Sequence, residues 1–162
     1  MNKMTDEEIE SWAKAYIDAQ QGDAIDADHP LWWAVDNFWE GGDRVTSTED
    51  RWNAILRILS LNPPQSVISM LAAGPLEDDL IADHGAEFID RVELEARRSP
   101  TFGYLLGGVW PRGGSKEIFS RLEKSAWKNG VVAGATESAA AAVFEVGLEV
   151  SGGELRTVTV GK

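Results

Sequence analysis

Ile9, Trp12, Ala13, Tyr16 and Ile17 stand at i, i+3, i+4, i+7 and i+8. That spacing gathers apolar side chains on one face of an α-helix. The same period returns along the chain as far as Trp127, interrupted each time by glycine or proline. A chain built this way has to fold as short helices that bury one stripe each. Thr5-Asp6-Glu7-Glu8 reads as a capping box that opens the first helix, and Gly22 ends it. An acidic linker, Gly22 to Asp28, follows. Asp28-His29-Pro30 is expected to open a second helix, with Pro30 in its first turn and Leu31, Val35, Phe38 and Trp39 facing inward. Ser47-Thr48-Glu49-Asp50 starts a third, with Trp52, Ile55, Leu56 and Leu59 on one side. Asn62-Pro63-Pro64-Gln65 ends that helix and begins the next, which runs through Val67, Ile68, Met70 and Leu71 to Gly74.

Gly74-Pro75 is expected to close one segment and restart at Leu76, with Leu80 and Ile81 inward. Glu77, Asp78 and Asp79 would then sit near a helix start, where acids complement the dipole. Gly85 reads as the C-terminal cap. Residues 86–98 carry Phe88, Ile89, Val92 and Ala96 on one face, and Pro100 terminates them. A short apolar turn from Phe102 to Leu106 precedes a last helix, capped by Ser115 and running to Trp127, with Ile118, Phe119 and Leu122 inward.

The composition changes after Asn129. Residues 130–142 are rich in Ala and Gly, and Phe144 to Val150 and Leu155 to Val160 alternate apolar with polar residues around Ser151-Gly152-Gly153. Two alternating runs about a glycine loop read as a β-hairpin. The expected fold is therefore mainly α: a small bundle or a solenoid-like stack of helical hairpins over residues 1–129, with an Ala/Gly-rich linker and β-hairpin over 130–162. A lone hairpin is marginal in water. Residues 144–160 would pack on the helices, join a partner's strands or pair with a second copy in a homodimer. No repeat of fixed period accompanies the helix pairs.

The charge is lopsided. The net charge is −12, and the first fifty residues hold 13 acidic side chains against Lys3, Lys14 and Arg44. Such a surface repels phosphate, which excludes direct nucleic-acid binding, and it repels an anionic membrane. It attracts a basic protein; the commoner use of such a charge is simple solubility. The chain has no cysteine, so a disulfide framework, a thiolate metal site and a cysteine nucleophile are all excluded. With no apolar run near ~20 residues and an acidic N-terminus, the protein is read as cytoplasmic.

No Walker loop, nucleophile elbow, H-E-x-x-H helix or dinucleotide fingerprint is present. No metal or cofactor is expected: Asp23-x-x-Asp26-x-Asp28 lacks the glycine and distal glutamate of a calcium loop. His29 precedes Pro30 at a helix start, and His84 precedes Gly85 at an expected helix end, where a protonated ring would favour the dipole. Both read first as caps. Seven tryptophans are many for 162 residues. Leu31, Trp32, Trp33, Val35, Phe38 and Trp39 cannot all share one face of ~100°, so at least one of Trp32 and Trp33 is expected to stay partly exposed. Gly107-Gly108 and Gly113-Gly114 flank Trp110-Pro111-Arg112. That loop either presents Trp110 and Arg112 as interface anchors or, more commonly, forms a tight connection with Trp110 packed inside.

The expected partner-binding residues are Asp28, Trp32, Trp33, Asp36, Glu40, Trp110 and Arg112, with no catalytic residue. They make a non-catalytic acidic module, read as an inhibitor of a basic, nucleic-acid-handling protein, of the immunity, antitoxin or phage anti-defence kind. The alternatives are a small enzyme using a histidine with neighbouring carboxylates, or a structural subunit assembling through its hairpin. Several segments in combination resemble an uncharacterised family of bacterial helical domains over residues 29–127. They are His29 to Asp36 with Phe38-Trp39-Glu40, Ala73 to Asp78, His84-Gly85 with Phe88 to Glu93, and Leu106 to Trp110. The resemblance implies a helical domain and supplies no catalytic assignment.

Overall fold

The computed structural model describes residues 3–39, 46–110 and 115–126. Within them every regular element is helical, in the order α1 (Asp6–Gln21), α2 (Trp32–Asp36), α3 (Thr48–Ser60), α4 (Gln65–Leu71), a π-helix (Ala72–Ile81), α5 (Gly85–Arg98), α6 (Pro100–Leu106) and α7 (Lys116–Ser125). The division at residues 129/130 and the hairpin expected over 144–160 lie outside the described residues.

Local chemistry sets most boundaries where the sequence placed them. The Thr5 and Ser47 side chains accept from the N3 amides of α1 and α3, and Glu8 and Asp50 reach back to the cap amides, completing two capping boxes. Asn62, with φ of 50°, turns the chain from α3 into Pro63-Pro64. Ile9, Trp12, Ala13 and Tyr16 of α1 are buried as their spacing requires, and so are Phe88, Ile89, Val92 and Ala96 of α5.

Four expectations are corrected. The second helix does not open at Asp28. The His29 amide donates to the Asp26 carbonyl, and His29 Nδ1 accepts from the Leu31 amide at 3.1 Å. These turn bonds occupy residues 26–31, Pro30 falls in the turn, and α2 is left with five residues. Gly74 does not close a segment. The chain runs on through Pro75 as a π-helix. Proline lacks an amide and crowds the carbonyl four residues back; here the wider i→i+5 turn takes over, as in the bond from the Ala82 amide to the Glu77 carbonyl at 3.0 Å. Gly85 starts α5 instead of capping its predecessor. A Cβ there would stand 3.2 Å from Ile118 of α7, so the glycine sets the approach of those two helices. Residues 100–106 are a helix, not a turn: Ser99 Oγ accepts from the Phe102 amide at 3.2 Å, and Pro100 takes the first helical position.

One continuous core joins all the helices. Consecutive elements touch (α1 with α2, α4 with the π-helix, α5 with α6), but α1 also packs on α3 and α5 on α7, each pair skipping the helix between them. Arginines tie the longer pairs. Arg57 of α3 pairs with Glu10 of α1, which also holds Lys14. Arg91 of α5 holds both oxygens of Glu49 of α3 at 2.6 and 3.0 Å. Arg121 of α7 holds both oxygens of Glu93 and reaches Asp90, both on α5. No helix among the described residues is long and apolar enough to cross a membrane.

Candidate docking face

The π-helix lies at the centre of the candidate site. Its inner side is apolar, with Leu76 and Leu80 fully buried beside Ile81. Two separate stretches of chain converge on it. Trp39, just past α2, lays its ring where a side chain on Gly74 would meet it at 3.7 Å. Gly108, just past α6, fits so closely that a Cβ would stand 3.0 Å from the Ala72 methyl. Two residues on, the Trp110 amide donates to Glu77 Oε2 at 2.7 Å. Glu77 is therefore not a solvated first-turn acid. It is 2% exposed, and its carboxylate ties down the loop that follows α6. A buried carboxylate has to be hydrogen-bonded to be tolerated, and the backbone amide meets that need.

These bonds hold backbone and leave indoles outside. Trp33 is 37% exposed, Trp39 38% and Trp110 69%, while Trp32 is half-buried. Trp33 and Trp32 thus fulfil the expectation that the stripe is too wide for one face. Trp39 overturns its assignment to the inner stripe. The bonds from the Phe38 amide to Val35 and the Trp39 amide to Asp36 are i→i+3 turns. The tighter turn rotates Trp39 away from the azimuth that a continuing α-helix would give it, while Phe38 stays inside against Trp12 and Tyr16, with centroids at 4.5 and 5.1 Å. Trp110 also departs from the commoner expectation, because its loop is anchored through its amide and not through its ring.

Asp28 is exposed, Asp36 half-buried, and Asp78 of the π-helix exposed. Asp23 and Asp26 stand exposed on the linker. Asp28, Trp32, Trp33 and Asp36 share one stretch of chain around α2. Trp110 comes from the stretch after α6, and its amide joins the π-helix one turn from the Trp39 contact. Glu40 and Arg112 lie outside the described residues. Sequence reasoning missed Trp39 as an exposed residue and Glu77 as a buried one. The signals were present, a proline inside an apolar helical stretch and a Gly-Gly loop, but their consequences are long-range.

The histidine readings change as well. His84 precedes α5 as its N-cap, so a protonated ring would face the positive end of the dipole; the expected dipole benefit is reversed. His29 is exposed and spends Nδ1 on the Leu31 amide. Among the described residues no cluster of three or more metal-binding side chains converges. An open groove of about 950 Å³ lies between α1 and α3, where Lys3, Lys14 and Arg57 face Asp6, Glu7 and Glu10. Its charges largely cancel. The Arg57 and Lys14 hydrogen bonds hold the Glu10 carboxyl below its usual range, as Arg91 does for Glu49 and Arg121 for Glu93.

The described residues make a mainly α-helical protein that presents Trp39, Trp110 and Asp78 around a π-helix. Residues 19–130 match the model of a family of unknown function, DUF6869. The match takes in everything from the end of α1 through α7, more than half of the chain, and the protein belongs to that family. No curated protein and no solved structure matches the chain.

Proposed function

We propose that this protein is a non-catalytic docking module of the cytoplasm, whose acidic, tryptophan-bearing face engages a basic surface on a partner protein and blocks it. The observation that carries the reading is the exposure of Trp33, Trp39 and Trp110 on a chain of net charge −12. Large exposed aromatics on a firm backbone are what interfaces use as anchors. The distribution of arginine adds to this. Arg57, Arg91 and Arg121 are committed to carboxylates of neighbouring helices, while Asp23, Asp26, Asp28 and Asp78 stand in solvent. A target that normally handles nucleic acid would meet carboxylates where it expects phosphates, and the indoles would fix the register. Long-range attraction would speed the encounter.

The test is affinity capture from the source cell with the full chain as bait, at low salt and at about 0.5 M salt, where the screening length falls to a few ångströms. The expected result is a basic protein that is retained at low salt, largely released at high salt, and lost when Trp33 and Trp110 are both replaced by alanine. A captured protein that is acidic, or one whose retention ignores both salt and the tryptophans, refutes the proposal.

A further inference from the structure

The occupant of the face around the π-helix can be named more closely from chemistry that the molecule already uses inside its own fold. The Arg91 guanidinium lies 5.0 Å from the Trp52 ring centroid and 4.9 Å from that of Phe88. Its edge is held at the same time by both oxygens of Glu49, at 2.6 and 3.0 Å. A planar cation stacks through its face and pairs through its edge, and an ammonium cannot do both.

The π-helix face offers the same two components, indole surface and a carboxylate. Trp39 and Trp110 expose indole surface, and Asp78 exposes a carboxylate from the same π-helix. The Trp39 ring lies at Gly74, and the Trp110 backbone is held at Glu77. Three peptide units separate those positions, so their Cα atoms are at most about 11 Å apart. Two attachment points that close fall within the span of two neighbouring side chains of an incoming segment.

We infer that this face receives arginine side chains of a basic partner, stacked on Trp39 and Trp110 and paired with Asp78, in preference to lysine. The inference rests on the docking reading above and goes beyond it in fixing which cation is read. Glu77 is a positioning residue here: its bond to the Trp110 amide holds the loop so that the ring remains in solvent.

The experiment titrates the full chain with an oligo-arginine peptide and with an oligo-lysine peptide of equal length, at near-physiological ionic strength. Tryptophan fluorescence and calorimetry provide the readouts. The expected result is tighter binding of the arginine peptide, with a loss of about two- to fivefold for each of Trp39→Ala and Trp110→Ala. The lysine peptide should be affected little. Both indoles are exposed, so these variants should keep the helical circular dichroism of the parent, and Leu94→Ala, an exposed apolar side chain of α5, serves as a control outside the face. Equal binding of the two peptides, or an arginine preference that survives loss of both indoles, overturns the inference and leaves the docking reading standing. Binding of neither peptide even at low ionic strength brings down both.

Discussion

The α1–α3 interface and the π-helix face are built from the same groups, namely tryptophan, a buried carboxylate and a backbone amide, arranged to opposite ends. At the α1–α3 interface the rings are consumed. Trp12 is fully buried, and its indole N–H donates to the Ala34 carbonyl at 2.7 Å. Trp52 of α3 is enclosed as well, on the side of α5 and α6, between Phe88 and Phe102 with centroids at 5.5 and 5.6 Å. The carboxylate of Asp50, 2% exposed, accepts from the Met4 amide at 3.1 Å and from Ser47. It thereby ties the entry of α1 to the start of α3. At the π-helix the carboxylate of Glu77 also takes an amide, yet the ring on that residue is left in water. A buried acid can thus serve a core by closing it, or a surface by holding still what the surface displays.

The contrast is tested most severely by removing one ring from each region. Trp12→Ala empties a fully enclosed site, and the expected loss is about 3–5 kcal/mol, a fall of roughly 10 °C in melting temperature, read by thermal and denaturant unfolding. Trp110→Ala should lie within about 0.5 kcal/mol of the parent while weakening partner capture. Equal destabilisation by the two would erase the distinction between the regions.

Next in size is the pair of buried carboxylates. Asp50→Ala leaves the Met4 amide and the α3 cap without their acceptor, and stability should fall by about 2–3 kcal/mol. Glu77→Ala should cost about 1–3 kcal/mol by the same reasoning. It should in addition change the accessibility of Trp110 to a soluble fluorescence quencher, because the loop loses its tether. Asp50→Ala should leave that quenching as it was. Altered quenching in both variants would show that the two regions are not separate.

The smallest effect concerns pH. Arginine hydrogen bonds lower the carboxyl pKa of Glu49 and Glu93 in the folded protein. A depressed folded pKa contributes stability that is present above the unfolded value, near 4.5, and is lost as pH falls through the folded value. Unfolding midpoints measured from pH 6 downward should therefore drop in acid. Glu93→Gln should shallow that drop, since it removes the Arg121 partner that joins α5 to α7. An unchanged acid limb would mean that the bridge adds nothing in water, as holds for many exposed pairs.

Much of the helical scaffold was legible before any coordinates. Capping boxes act over three residues, and an apolar stripe needs only the helical period, so α1, α3 and α5 could be placed together with their buried faces. The candidate face was legible only in part. The crowding of Trp32 and Trp33 on one helix could be counted from spacing alone. That Trp39 turns outward depended on α2 stopping at Asp36. That Trp110 stays in solvent depended on Glu77, thirty-three positions away.

Residue order by itself determined where α1, α3 and α7 start, which stripe α1, α3 and α5 bury, the excess of acid in the first half and the absence of thiol chemistry. These follow from interactions within one or two turns of chain, or from counting. Tertiary structure alone decided that Pro75 is absorbed into a π-helix, that Asp50 and Glu77 are buried, and that of several similar indoles Trp12 and Trp52 are enclosed while Trp39 and Trp110 are shown. Burial is a property of what packs on a residue, and for these residues the partners come from distant parts of the chain.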